Sequence, residues 1–438
     1  MDYFYQGIHR LDWGFGNPNM TAALVAMLAV AVCGVALVWR KAFWFALPVA
    51  AGLLVALVHT LSRGGMVAFL AGFVVFVMAV RPRPGRVHAG VLVAVAVLVV
   101  GYAFHLGGAT RYVQGINGVE DRSVSNRWLI YSSAPGMLHD APGGWGKGKA
   151  SDAYHQWYQS EGRGEDYLNL VNSHLTWMVE WPTALRLLYI AGWALVFLLA
   201  WPVSGHRWWG VVLSVWVALF VASCFSSVCH RPWIWPFPAA LLLILLVHRL
   251  ILMKRVPMLR ALLIGPALAL LVYGLLLAPA LFSKDGPALR RRAGIVEVGS
   301  PEAPVKIVLC GKDRAILGTR FGHRIRSYVR KHPGTMITFV EEPRELDSSY
   351  HTTVLVGDAL GKFQAAAGTN LVLLNPPAPS PDWKQYDTCA VRVLWGDLNP
   401  SPAWYAWQRK SAGSKGIVLT RLLGESLFLE TWLDELVL

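Results

Sequence analysis

Arg63, Arg127 and His174 lie far apart in the chain, and their types suit binding an anion and moving a proton. Arg63 stands in Ser62-Arg63-Gly64-Gly65 at the start of an apolar run. Its guanidinium offers a fixed fork of donors that matches phosphate, and the glycine pair lets backbone come close. An arginine at a membrane helix end also serves as an interfacial anchor, so both readings stand. Arg122 and Arg127 flank Ser123, Ser125 and Asn126. That donor-rich cluster is either a solvated loop or, with Arg63 on the same face, part of a diphosphate site. His174 sits in Asn172-Ser-His-Leu-Thr-Trp-Met-Val-Glu180. The spacing of Leu175, Met178 and Val179 predicts a helix with His174 near its start. A histidine there is a structural hydrogen bonder or a general base towards a sugar hydroxyl, its pKa lying near working pH.

Weaker candidates surround these. Glu180 lies six residues beyond His174, too far for an i, i+4 pair; it orients another group or caps polar contacts. Gly143-Gly-Trp-Gly-Lys-Gly148 lacks the GxxxxGK[ST] pattern and the strand-to-helix setting of a phosphate loop. It reads as a flexible turn that brings Lys147 and Lys149 near substrate. Arg231, in the connector between the sixth and seventh expected spans, faces the same side as Arg63. Cysteine adds nothing: Cys33, Cys224 and Cys229 fall in or near apolar segments, Cys310 and Cys389 lie in the C-terminal part, and no Cys/His cluster has zinc spacing. No metal or cofactor is implied.

The elements that must position these residues are membrane helices. The chain is 55% hydrophobic and 15% charged, against roughly 25% charged in a soluble domain, and its 20 Trp residues suit interfacial anchoring. The net charge of +14 does not indicate nucleic acid, because many basic residues sit in short connectors between apolar runs. We read about eight spans of roughly 17 to 24 residues: 20–39, 42–59, 64–80, 87–106, 184–202, 208–228, 237–253 and 259–282. Arg40-Lys41, Arg81 to Arg86, His206-Arg207 and Arg249 to Arg260 then share one side, which is cytoplasmic by the positive-inside rule. The opposite side holds Arg63, a long polar island at 107–183, Arg231 and everything after Phe282. Arg290-Arg-Arg292 offends the rule: either it is tolerated past the last span, or the last segment does not cross. No secretory signal peptide is evident, since the first 18 residues are polar and aromatic.

The expected architecture is an α-helical polytopic membrane domain over 1–282 with an external loop at 107–183, a linker at 283–304, and a soluble α/β domain at 305–438. In the last, short β runs (VKIVLC, MITFV, TVLVG, LVLL, VRVLW, GIVL) alternate with helical stretches, which implies a mostly parallel sheet.

Asn17-Pro18-Asn19 before a span, Thr60-Leu-Ser-Arg-Gly-Gly65 at a helix start, Arg127-Trp128 in a long external loop, a Gly-rich turn and the His174 helix come in an order that resembles the O-antigen ligase and O-antigen polymerase family. The resemblance covers roughly residues 14 to 250. It implies an inverting glycosyltransferase of the bacterial inner membrane. The donor would be a glycan on a polyprenyl diphosphate at the outer face, and the acceptor a glycan, lipid or protein. No nucleotide sugar is needed, because the diphosphate already activates the donor. Arg63 and Arg127 would bind and neutralise the diphosphate, and His174 would accept the proton from the acceptor hydroxyl or orient it. Arg122, Lys147, Glu180 and Arg231 would contact substrate. The family carries further spans before its Asn-Pro-Asn, so this chain is a short variant or its start lies upstream. His174-Leu175 also stands where the family has His-Asn, and Glu180 is closer to the histidine than is usual. A polysaccharide polymerase of the same family and a non-catalytic membrane scaffold of a surface-glycan assembly complex are the rival readings.

The C-terminal part resembles an α/β-hydrolase. Gly357-Asp-Ala-Leu-Gly361 has the spacing of the G-x-S-x-G elbow, with Ala359 in the nucleophile's place. Trp395-Gly-Asp-Leu-Asn-Pro400 resembles the acid-bearing turn, and no His follows Asp397. The resemblance implies a degenerate, non-hydrolytic domain; a Rossmann-like domain with a chance GxxxG remains the alternative.

Overall fold

The computed structural model describes residues 2–5, 8–79, 90, 102, 122–159, 169–200, 207–252, 256–282, 289–292, 295–310, 321–340, 352–356, 370–374, 390–395 and 418–421. The chain forms two compact units. One comprises Met1–Ala134, Gly144–Ser151 and Glu165–Ala278; the other comprises Pro135–Gly143, Asp152–Gly164 and Pro279–Leu438.

The first unit opens with an antiparallel hairpin, β1 (Asp2–Tyr5) and β2 (Ile8–Leu11). Helix α1 (Pro18–Val38) follows. Asn17 caps it by accepting the Asn19 N–H, and Pro18 occupies the first turn, where no amide donor is missed. Next come α2 (Phe43–His59) and α3 (Arg63–Ala79). The later membrane helices are α7 (Thr183–Ala200), α8 (Trp208–Phe225), α9 (Pro236–Leu252) and α10 (Val256–Leu281). Pro18–Val38, Thr183–Ala200, Trp208–Phe225 and Ile264–Leu281 are long and apolar enough to cross a membrane, and Phe43–His59, Arg63–Ala79 and Pro232–Ile244 are shorter apolar helices. The span expected at 87–106 lies outside the described residues apart from 90 and 102.

Small residues hold α1, α3 and α8 together. A Cβ on Gly65 would come within 2.6 Å of the Ala22 Cβ, and one on Gly72 within 2.7 Å of the Ser214 carbonyl. Lipid tails are as apolar as leucine, so membrane helices gain chiefly from this close backbone approach. Helices α7 and α10 run antiparallel: Arg186 donates to the Tyr273 hydroxyl at 2.9 Å, while five residues further along α7 the Ala191 carbonyl lies 3.7 Å from where a Cβ on Gly265 would stand.

The polar island is not a loop over its described length. It forms α4 (Arg122–Asp140), α5 (Ala150–Trp157) and α6 (Ser173–Glu180). Ile130, Ala134, Met137 and Leu138 give α4 a buried face at helical spacing.

In the second unit a mixed sheet runs β10-β9-β8-β7-β5-β6-β4-β3. Its strands are β3 (Leu289–Arg292), β4 (Ile295–Val298), β5 (Val305–Cys310), β6 (Thr335–Val340), β7 (Thr352–Val356), β8 (Asn370–Leu374), β9 (Ala390–Trp395) and β10 (Val418–Arg421). Strands β5 to β10 are parallel to their neighbours among themselves. Strand β4 is antiparallel to both β3 and β6. The stretch expected to be a linker therefore contributes two strands, and Arg290 to Arg292 lie in a folded sheet rather than in a short connector. Between β5 and β6 lies helix α11 (Phe321–Lys331). Residues 357–361 and 396–400, expected to form the elbow and the acid turn, lie outside the described residues.

Candidate functional site

The C-terminal end of α8 is a hub on which three distant segments meet. The first is the start of α3. Thr60 closes α2 by donating its hydroxyl to the Leu57 carbonyl at 2.6 Å. Leu61 then takes a left-handed conformation, φ 48°, which costs a non-glycine residue about 1–2 kcal/mol. Ser62 caps α3 by accepting the Gly65 N–H at 3.2 Å, and Arg63 is the first residue of that helix. Gly64 is obliged by packing, since a Cβ there would lie 2.6 Å from the Phe225 Cβ.

The second segment is α4. Tyr131 donates its hydroxyl to the Cys224 carbonyl at 2.6 Å, satisfying one of the carbonyls that a helix end leaves open. Burial raises the Tyr131 pKa, against the pull of the Arg127 charge and a hydrogen bond with Asn172. Arg127, half-buried and one turn before Tyr131, is thereby beside the hub. Arg122 begins the same helix, and its side chain lies outside the described residues.

The third is α6. Val171 is left-handed, φ 53°, a strained setting for a β-branched residue. Asn172 caps the helix on the Leu175 N–H at 3.0 Å. Ser173 donates its hydroxyl to the Ser226 carbonyl at 2.9 Å and accepts the Cys229 N–H at 3.0 Å. His174, only 7% exposed, has both ring nitrogens engaged. Nε2 lies 3.0 Å from the Phe220 carbonyl and Nδ1 lies 2.6 Å from the Tyr189 hydroxyl. A carbonyl only accepts, so Nε2 carries the proton and Nδ1 is the basic atom, receiving the Tyr189 hydroxyl. Burial pushes the His174 pKa down to about 4, against a smaller upward pull from the Phe220 carbonyl. The imidazole is uncharged near neutral pH, and burial holds its pKa below the working range expected from the sequence.

Arg63, Arg127 and His174 thus come from three segments that share the Phe220–Cys229 stretch. Arg231 follows a short turn at Val228–His230 and is exposed. Lys147 and Glu180 belong elsewhere, at the far end of α6. There the Gly-rich turn wraps the helix C-terminus: Trp145 and Gly146 donate N–H groups to the Val179 and Glu180 carbonyls at 3.0 and 3.1 Å. The buried Glu180 carboxylate accepts the Gly148 and Ala150 N–H groups, capping the start of α5. Burial raises its pKa, opposed by those two amides and by Lys147. The glycines are needed here. Gly144 has φ +80°, and a Cβ on it would meet the Glu180 carbonyl at 2.4 Å.

Sequence reasoning missed Arg10, Tyr131, Arg186 and Tyr189. Arg10, 7% exposed, donates to the Thr60 carbonyl and to Asn19. Arg186 is fully buried and donates to the Trp181 carbonyl at 2.7 Å as well as to Tyr273. A signal was present for Arg186, a cation inside an apolar run, where such residues are costly and rarely idle. Among the described residues no group of three His, Cys, Asp or Glu could hold a metal ion.

Residues 48–181 match the family described as O-antigen ligase. The match spans Arg63, Arg127, Lys147, His174 and Glu180, so the resemblance to the O-antigen ligase and polymerase family holds over the segments that build the hub. No curated protein and no solved structure matches the chain.

Proposed function

We propose that this chain is an inverting glycosyltransferase that moves a glycan from a polyprenyl-diphosphate lipid to an acceptor, in the manner of an O-antigen ligase. The observation that carries the reading is the convergence of the helix starts bearing Arg63 and His174 with the α4 segment bearing Arg127 on one end of α8. The two described non-glycine residues with left-handed backbone, Leu61 and Val171, immediately precede the cap residues of those two helices, Ser62 and Asn172. Strain of this kind clusters where a site must be pre-organised.

In the proposed reaction the acceptor oxygen attacks the anomeric carbon while the bond to the diphosphate oxygen breaks. Negative charge grows on the leaving group, and Arg63 and Arg127 stabilise it more in the transition state than in the bound donor. Arg63 also lies at the positive end of α3, which adds to the field on an anion. The acceptor proton goes to Nδ1 of His174 once that hydroxyl takes the place of Tyr189. The Phe220 carbonyl holds the tautomer that leaves Nδ1 free to accept. Arg122 and Arg231 extend the cationic rim. Lys147 contacts the glycan from the turn that Glu180 fixes.

The setting proposed is the bacterial inner membrane, with the island and Arg231 on the outer side. The antiparallel pairing of α7 and α10 supports placing the C-terminal unit there too. Arg186 lies near the island end of α7, and Tyr273 lies closer to the exit of α10 than to its entry, so α10 ends on the island's side.

The C-terminal unit is proposed to be a degenerate α/β-hydrolase. Numbered from β3, its strands lie in the order 1-2-4-3-5-6-7-8 with the second reversed, the order of an α/β-hydrolase sheet. Ala359 follows the fifth strand and Asp397 the seventh, as the elbow and acid turn require. With Ala359 in the nucleophile's place, the unit is proposed to bind rather than cleave.

The test is substitution of Arg63, Arg127 and His174 by Ala, one at a time, with membrane levels checked. Surface glycan display should fall and the lipid-linked glycan accumulate. Wild-type display from all three variants would end the enzymatic reading.

A further inference from the structure

One cluster in the second unit has no part in the proposed chemistry. Asp140, the last residue of α4, is 8% exposed. Its carboxylate takes the Tyr158 hydroxyl at 2.6 Å on one oxygen and His139 Nδ1 at 3.0 Å on the other. Arg326 of α11 lies over Tyr158, its guanidinium carbon 4.1 Å from the ring centroid, and donates through Nη2 to the Trp157 carbonyl. Trp157 is buried and meets Phe339 of β6 edge to face, ring centroids 5.8 Å apart. Gly136 leaves room for Tyr158, because a Cβ there would lie 3.3 Å from the ring.

Two features show why the island's arm needs such a holder. Helix α5 has eight residues, and isolated helices shorter than about 12 residues are marginal in water. Helix α4 contains Pro135, which removes a backbone bond and frees the last turn from the direction set by the first. A cation over an aromatic ring and a buried aromatic pair supply what the arm lacks.

We infer that the sheet is the docking platform for the end of α4 and for α5, that Arg326 is the positioning residue of this contact, and that glycan transfer depends on it. The occupant of the α11 and β6 face is this chain's own residues 135–143 and 152–158. The inference deepens the transferase reading and rests on it only for its second half.

The experiment uses the full chain in membranes, with native cysteines replaced by Ala. Trp157→Cys and Phe339→Cys are introduced together with a protease site at residue 285, and a short thiol-reactive linker is added before cleavage. The two fragments should stay joined on a denaturing gel, and each single-cysteine variant should come apart. Separation of the doubly labelled chain would overturn the platform, whatever the glycan result. In parallel, Arg326→Ala at normal membrane level should lower glycan display on the order of tenfold to a hundredfold, as small displacements of positioning groups do. Arg326→Lys, which keeps a cation over Tyr158, should recover part of it. If Arg326→Ala lost membrane level, Tyr158→Phe would replace it, with a smaller fall expected. Wild-type display from whichever variant is used, with the linker still joining the fragments, would sink the positioning role. Normal display from Arg63→Ala and Arg127→Ala with joined fragments would remove the transferase reading and leave the platform standing.

Discussion

Arg10 donates its Nε–H to the Thr60 carbonyl at 2.8 Å, and its Nη2 reaches the Asn19 side chain at 3.1 Å. One buried cation thereby ties the cap of α1 to the turn that delivers Arg63. The Asn-Pro-Asn and Thr-Leu-Ser-Arg-Gly-Gly stretches are two walls of a single joint. Asp12 completes it by accepting the Phe15 and Gly16 N–H groups and the Thr21 hydroxyl. The left-handed Leu61 persists because the groups around it are fixed on both sides.

Replacing Arg10 should therefore act on Arg63. Arg10→Ala leaves the Thr60 carbonyl without its charged donor, and hydrogen bonds to charged groups contribute about 1.5–3 kcal/mol. Glycan display should fall at least tenfold at near-normal membrane level. Arg10→Lys should recover little, since an ammonium cannot fork to both acceptors. Full display from Arg10→Ala would separate this joint from the site.

His174 predicts how stability varies with pH. Its folded pKa, about 4, lies below the unfolded value near 6.5. Between the two, the unfolded state binds more protons, so stability rises with pH through that window. The contribution is complete above about pH 6.5 and is lost as pH falls towards 4, roughly 3 kcal/mol in all. Thermal midpoints of the purified protein between pH 4.5 and 7.5 would measure it. His174→Gln should flatten that part of the profile, and an unchanged slope would argue against a buried neutral imidazole.

The helix of His174 was legible because Asn172 is a natural cap and Leu175, Met178 and Val179 share a face. The turn character of Gly143–Gly148 was legible for the same local reason. Helix α4 was not read, although Ile130, Ala134, Met137 and Leu138 recur at helical spacing, because Pro135 and Gly136 interrupt the stripe. Strand β3 was hidden by three arginines that look like a membrane flank. The hub could not be seen at all. It depends on backbone carbonyls of Phe220, Cys224 and Ser226, and those carry no residue signature. The role of Glu180 was hidden in the same way, since its partners are the Gly148 and Ala150 amides.

The Gly-rich turn should resist substitution at one glycine above the others. Gly144→Ala puts a Cβ 2.4 Å from the Glu180 carbonyl and 2.6 Å from the Trp181 carbonyl carbon, contacts that backbone must move to relieve. Gly143→Ala and Gly148→Ala meet nothing within 4 Å, although Gly148 has φ +72°. Thermal stability should fall most for Gly144→Ala, by several kcal/mol in the manner of overpacked sites. Gly148→Ala should cost about 1–2 kcal/mol from its backbone alone, and Gly143→Ala least. Glu180→Ala should lose a helix cap, about 1 kcal/mol. Equal effects at all three glycines would contradict this arrangement.

On the proposed reading of the C-terminal unit as a degenerate α/β-hydrolase, a serine at position 359 should not bring hydrolysis. Ala359→Ser would place a hydroxyl after β7, where a G-x-S-x-G elbow carries its serine. A serine is a weak nucleophile at its own pKa and needs an adjacent base. The base of an α/β-hydrolase is a histidine later than the acid, and none follows Asp397. A fluorophosphonate probe applied to membranes should leave both the wild-type chain and Ala359→Ser unlabelled, and ester hydrolysis should stay at background. Glycan display by Ala359→Ser should match wild type, as the proposed docking through the α11 and β6 face requires. Labelling of Ala359→Ser would mean that a base from another part of the chain serves the introduced serine, and would overturn the proposed non-hydrolytic reading of this unit.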